Sequence, residues 1–116
     1  METYKGSCHC QAVQFEVDME LTKAMECNCS QCYLKGFLLS FVPGSSVRIL
    51  SGEDMLTEYR FNKEHIAHLF CKVCGAQPFG RANDAEGNMT YAINIRSLEG
   101  VVPESLEINV FDGKNI

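Results

Sequence analysis

Strand-like patterns dominate this chain, and in two stretches apolar and polar residues alternate with a period of two. Val13, Phe15 and Val17 are interleaved with Gln14, Glu16 and Asp18, the pattern of a strand with one buried face. Phe37 to Val42 is a denser apolar run stopped by Pro43-Gly44, and Val47 to Leu50 predicts a short strand ended by Ser51-Gly52. Met55 to Phe61 and His65 to Phe70 predict two more, with Asn62-Lys63-Glu64 as the turn between them. Met89 to Ile95 alternates through Tyr91, Ile93 and Ile95, and Glu107 to Phe111 predicts a closing strand before Asp112-Gly113. Helical signal is confined to a turn or two over Ser30 to Lys35 and one over Pro103 to Leu106. With no repeat, low-complexity tract or linker, residues 1–116 read as one mainly β domain.

Composition narrows the class. At 46% hydrophobic and 22% charged, 116 residues make one ordinary globular core, too short for two. No apolar run approaches the ~20 residues of a membrane-spanning helix. Met1 to Lys5 is acidic and polar where a secretory leader would be basic and then apolar, so the expectation is an untargeted cytoplasmic protein. Ten Lys and Arg against fifteen Asp and Glu leave a net charge of −5, which opposes binding to a phosphate backbone. Nucleic acid is a poor partner for such a surface.

Cysteine is the number out of line. Seven in 116 residues is odd in count and, at about 6%, below the level of a disulfide scaffold. Cys8 and Cys10 form a C-x-C, Cys27, Cys29 and Cys32 a C-x-C-x-x-C, and Cys71 and Cys74 a C-x-x-C followed by Gly75. Such groups point to reduced thiols holding metal. A tetrahedral zinc ion with Zn–S near ~2.3 Å requires sulfurs about 3.8 Å apart, and Cys71-Lys72-Val73-Cys74-Gly75 permits that convergence: two residues turn the backbone, and the glycine tolerates positive φ. A redox role for this C-x-x-C would need a βαβ context that the chain lacks. Residues i and i+2 of a strand share a face, so Cys8 and Cys10 are the natural partner pair. The reading is a structural zinc held by Cys8, Cys10, Cys71 and Cys74, closing a loop of about sixty residues. Structural zinc contributes ~10–16 kcal/mol of apparent binding free energy in small metal-dependent peptides, comparable to the whole net stability of a domain, ~5–15 kcal/mol.

Cys27, Cys29 and Cys32 remain. Three ligands leave a fourth zinc position for water or substrate, the stoichiometry of a catalytic site. Spacing also permits His9, His65 or His68 to close that site, or Cys29 and Cys32 to replace the N-terminal pair as partners of Cys71 and Cys74.

Gly6-Ser7-Cys8-His9-Cys10, Cys27-Asn28-Cys29-Ser30-Gln31-Cys32, Ser51-Gly52-Glu53-Asp54 leading to Tyr59-Arg60-Phe61, Phe70-Cys71-Lys72-Val73-Cys74-Gly75, Ile93-Asn94-Ile95-Arg96 and Phe111-Asp112-Gly113-Lys114-Asn115 occur in order over nearly the whole chain. In these segments the sequence resembles the glutathione-dependent formaldehyde-activating enzyme family, which includes centromere protein V. The resemblance implies an antiparallel, zinc-stapled β fold of the Mss-four type with two zinc ions. In that pattern Cys8, Cys10, Cys71 and Cys74 hold the structural ion, and Cys27, Cys29 and Cys32 the catalytic one. Two positions depart from the pattern: Gln11 stands where many members have Gly, and Ser97 where many have Cys.

The implied activity is that of a carbon–sulfur lyase, forming or cleaving S-hydroxymethylglutathione or the adduct of a related small thiol. Zinc would activate the thiol, and Lys35, Lys72, Arg81 and Arg96 are candidate partners for glutathione's carboxylates. With two Zn²⁺ and seven thiolates the net charge falls further, and no basic arm is present to serve a chromatin role. The competing readings are a non-catalytic zinc-stabilised β module that binds a partner protein, and a carrier of soft metal ions.

Overall fold

In the computed structural model, which describes residues 2–27, 34–60, 67–83 and 86–111, the period-two pattern is realised most cleanly in β2 (Gln14–Met19). Phe15, Val17 and Met19 are buried there while Gln14, Glu16 and Asp18 face outward. β2 is the centre of a three-stranded antiparallel sheet between β1 (Glu2–Ser7) and β5 (Val47–Ser51). The remaining strands make a second sheet in the order β10 (Glu107–Phe111), β3 (Lys23–Cys27), β4 (Leu38–Pro43), β9 (Met89–Asn94), β8 (Phe79–Asn83), β7 (Ala67–Cys71) and β6 (Leu56–Tyr59). Neighbours in it are antiparallel except β10, which lies parallel to β3, so the antiparallel expectation holds with one exception. The fold is mainly β, and no described helix is long and apolar enough to cross a membrane.

Several boundaries move from the sequence reading for local reasons. β4 begins at Leu38 and carries Pro43 as its last residue. Met55 belongs to a 3₁₀ turn (Glu53–Met55) rather than to β6. Ile95 likewise opens a 3₁₀ turn (Ile95–Ser97), capped where the Arg96 N–H donates to the Asn94 side chain. The predicted helix over Ser30 to Lys35 is seen only as helical backbone at Leu34 and Lys35, ended by Gly36. Its first residues and the 62–64 turn lie outside the described residues.

The two sheets bury their facing sides against each other. Phe15 of β2 meets Phe79 of β8 edge-on at 5.2 Å, and Phe79 meets Tyr91 of β9 at the same distance, geometries that favour aromatic pairs beyond the area they bury. Ala67, Leu69, Ile93, Ile95 and Leu98 complete this core. Gly6 sits opposite Phe15 in the β1–β2 register, and a Cβ there would collide with the tip of the Phe15 ring, 2.6 Å from its Cε1, and stand 3.1 Å from Leu98. The glycine is therefore part of the ring's socket. On the outer face Arg48 reaches from β5 to Asp18 at 2.9 and 3.0 Å and to Glu16 at 3.2 Å. Its guanidinium, joined by the Thr3 hydroxyl, holds the Asp18 carboxyl down at about 2.

Gly6→Ala is expected to destabilise the protein by about 1–3 kcal/mol through overpacking against Phe15, read as a lower denaturant midpoint with an unchanged slope. A carboxyl depressed in the folded state adds stability above its unfolded value of ~3.9, and that contribution is lost as the pH falls through the folded value. The stability gap between wild type and Asp18→Asn should therefore be full above about pH 4 and narrow toward pH 2, as thermal melts across that window will show.

Candidate functional site

Two turns from different sheets meet at one end of the molecule. The first, between β1 and β2, carries Cys8 and Cys10; the second, between β7 and β8, carries Cys71 and Cys74. In the first, the Cys8 N–H donates to the Val13 carbonyl at 3.1 Å and the Gln11 N–H to the Cys8 carbonyl at 3.2 Å. Gln11 takes a positive φ of 67°, the left-handed conformation usually left to glycine. In the second turn the Gly75 N–H donates to the Cys71 carbonyl at 2.8 Å, and Gly75 itself has φ 79°, which is the conformation its place after the C-x-x-C predicts.

The four Sγ atoms all lie within 4.8 Å of one another. Cys10 Sγ stands 3.6 Å from both Cys8 Sγ and Cys71 Sγ, close to the separation required around a tetrahedral ion. Backbone amides already face the sulfurs: Val13 N–H approaches Cys8 Sγ, and Val73 N–H approaches Cys71 Sγ, each at 3.4 Å. Electrostatics follow from those amides. The Ala76 and Cys10 N–H groups draw the Cys74 thiol down to about 6, and the Cys74 and Val73 N–H groups lower Cys71 as well. At Cys10 the Ala12 N–H pulls the same way, but burial and the three neighbouring thiols outweigh it and push the thiol up to about 11. Four thiols so crowded cannot all ionise beside one another without a cation, and a bound cation reverses that restraint. All four donors are soft, and two are buried, so the donor set fits a closed thiolate site for a metal ion.

The cluster also joins two packing units. Cys8, Val13 and Cys71 form a small buried core of their own, flanked by Ala12, Met55, Leu56 and Ala76. Ser51 and Lys72 tie the surrounding loops together through the Ala12 and Met55 carbonyls.

Of the other predicted residues, Cys27 ends β3 with its backbone paired to Phe111. Cys29, Cys32 and His65 lie outside the described residues. His9 is exposed and His68 buried. His68 belongs to the face of the large sheet turned away from the main core, in a cross-strand row with Phe41, Ala92, Gly80 and Tyr59. On that face Gln77, which the sequence reading did not single out, places its Nε2 3.5 Å from His68 Nδ1 and its Oε1 3.2 Å from the Lys35 ammonium. Burial, and then the Lys35 charge, lower the His68 pKa. Arg81 donates instead to the Tyr91 hydroxyl at 3.3 Å. Ser97, at the position the family pattern often gives to Cys, donates its hydroxyl to the Asn94 carbonyl at 2.7 Å.

Two β-sheets that meet at a cluster of four thiols able to hold a metal ion define the class: a mainly β protein with a four-cysteine candidate metal site. Residues 3–109 match the family model described as glutathione-dependent formaldehyde-activating enzyme, and the chain belongs to that family. It is similar to a crystal structure of a Rhodobacter sphaeroides protein, with 33% identity and a TM-score of 0.80 over 92% of this chain and 99% of that one.

Removing one buried member of the cluster leaves three thiols without a closed site. Cys71→Ser is expected to lose the metal and with it the cooperative thermal transition, since binding free energies of ~10–16 kcal/mol rival the stability of the fold. Metal analysis beside circular dichroism checks this.

Proposed function

We propose that this protein is a zinc-dependent enzyme of the carbon–sulfur lyase type, forming or cleaving S-hydroxymethylglutathione or the adduct of a related small thiol. The observation that carries the reading is the completeness of the four-thiol cluster. Cys8, Cys10, Cys71 and Cys74 supply a full tetrahedral set, so Cys27, Cys29 and Cys32 are not needed there. We assign the first set to a structural zinc and the trio to a second zinc with its fourth position open to substrate. The complete cluster disfavours Cys29 and Cys32 as partners of Cys71 and Cys74.

A zinc ion at the trio would supply stabilisation of a substrate thiolate at neutral pH. Three cysteine thiolates cancel the ion's charge, which suits thiol activation better than carbonyl polarisation. In the forward direction the glutathione sulfur forms a bond to the aldehyde carbon, the C=O π pair moves to oxygen, and the oxygen takes up a proton. The reverse breaks the C–S bond and returns the pair to sulfur.

The reading predicts that Cys29→Ser loses one of two zinc ions and stays folded, whereas Cys74→Ser unfolds; equal unfolding by both favours a purely structural, partner-binding module. With cobalt substituted at the second site, millimolar glutathione should add a sulfur-to-metal absorption band. Its absence removes glutathione as the substrate.

A further inference from the structure

A cleft of about 90 Å³ opens where Gly6 of β1 pairs with Phe15 of β2, beside the turn that carries Cys8 and Cys10. Local irregularity shapes it. The pairing of β2 with β5 slips between Gln14 and Phe15, and a bulge of that kind re-aims the side chains around it. Gln11, in the turn, holds φ 67° and is the only non-glycine residue among those described to take a positive φ. Glycine would adopt that conformation without strain. The Gln14 side-chain amide donates to the Gln11 carbonyl at 3.1 Å, so both glutamines are held together in the cleft wall. A side chain kept where glycine would relieve the backbone points to work for that side chain.

The charges in that wall are of opposite sign. Lys5 stands on β1, and Glu99 is brought beside it because the Glu99 N–H donates to the Lys5 carbonyl at 2.8 Å and Leu98 bridges to Gly6. Both side chains line the cleft, and among the described residues neither enters an ion pair. The wall adds the Ser7 hydroxyl and the two glutamine amides, groups that both donate and accept. Leu50, 53% exposed, supplies an apolar flank. A cavity of ~150 Å³ accommodates benzene, so this cleft takes a smaller group, one that satisfies a cation and an anion together. An α-amino-carboxylate has that size and that pair of charges.

We propose that the cleft binds a small apolar α-amino acid. Its carboxylate meets Lys5 and Ser7, its ammonium meets Glu99 and the glutamine side-chain carbonyls, and its side chain lies on Leu50. The site is built from the smaller sheet and its adjoining turns, so it stands apart from the carbon–sulfur chemistry assigned to the cysteine trio. Gln11 also donates its N–H to the Cys8 carbonyl at 3.2 Å, and an occupant that touches Gln11 touches the turn supplying two of the four clustered thiols.

Backbone amide chemical shifts of the zinc-loaded full chain, followed during titration with L-valine, test the site. Saturable shifts are expected at Gly6, Gln11 and Gln14, with the affinity falling about tenfold in Lys5→Met and in Glu99→Gln, each the loss of one charge-assisted hydrogen bond. Isovalerate, which lacks the ammonium, and isobutylamine, which lacks the carboxylate, should each bind about tenfold more weakly than valine for the same reason. Lys5 and Glu99 are both exposed, and the amide spectrum itself reports that each variant folds. No saturable shift at these amides, an unchanged affinity in either variant, or either analogue binding as tightly as valine overturns the proposal.

Discussion

The convergence of four thiols on one point is the constraint from which the rest of the architecture follows. Cys10 and Cys71 are 61 positions apart and belong to turns of different sheets, yet their sulfurs stand 3.6 Å from each other. Proximity of that kind is unfavourable for thiolates alone and favourable around a cation, so the arrangement couples folding to metal. The amides that face the sulfurs are set by backbone bonds within each turn. Each half is therefore preorganised, and an ion bound by the four thiols would hold the halves together. The aromatic core of Phe15, Phe79 and Tyr91 packs between the same two sheets.

How much of this was legible in the sequence depended on whether a signal was local. The C-x-C, the C-x-x-C and Gly75 declare themselves within a few residues; spacing left two partners open for the C-x-x-C, and the fold brings it to Cys8 and Cys10. β2 was legible because its inner face is wholly apolar. β1, β3 and β8 were not. β1 is an edge strand whose sequence Glu-Thr-Tyr-Lys-Gly-Ser offers little to bury, and its glycine is there to admit a ring from the next strand. β8 has Gly80 at its second position, a residue that weakens strand propensity but occupies the row beside His68. Of the described side chains of β3 only Ala24 is buried, and the strand is held by neighbours on both sides.

The Lys35, Gln77 and His68 chain was illegible for a different reason. Lys35 and Gln77 are 42 positions apart, and neither lies in a motif. Glutamine before Pro78 reads as an ordinary turn residue, and His68 reads as a possible ligand. Only the pairing of β7 with β8 and the return of the chain at Lys35 bring the three together. The sheet thus has two unlike faces: one packed with apolar side chains against the smaller sheet, the other carrying the buried pair Gln77 and His68 with the exposed Lys35 beside Phe37 and Phe70.

The parallel seating of β10 on β3 has a consequence for biosynthesis. β3, which ends in Cys27, emerges from the ribosome long before its outer neighbour has been made, and until then that edge of the large sheet has nothing to pair with. The thiol cluster and the turns that shape it need only the chain up to Ala76. During translation the stapled end of the molecule can mature first, and the border that supports Cys27 is sealed afterward.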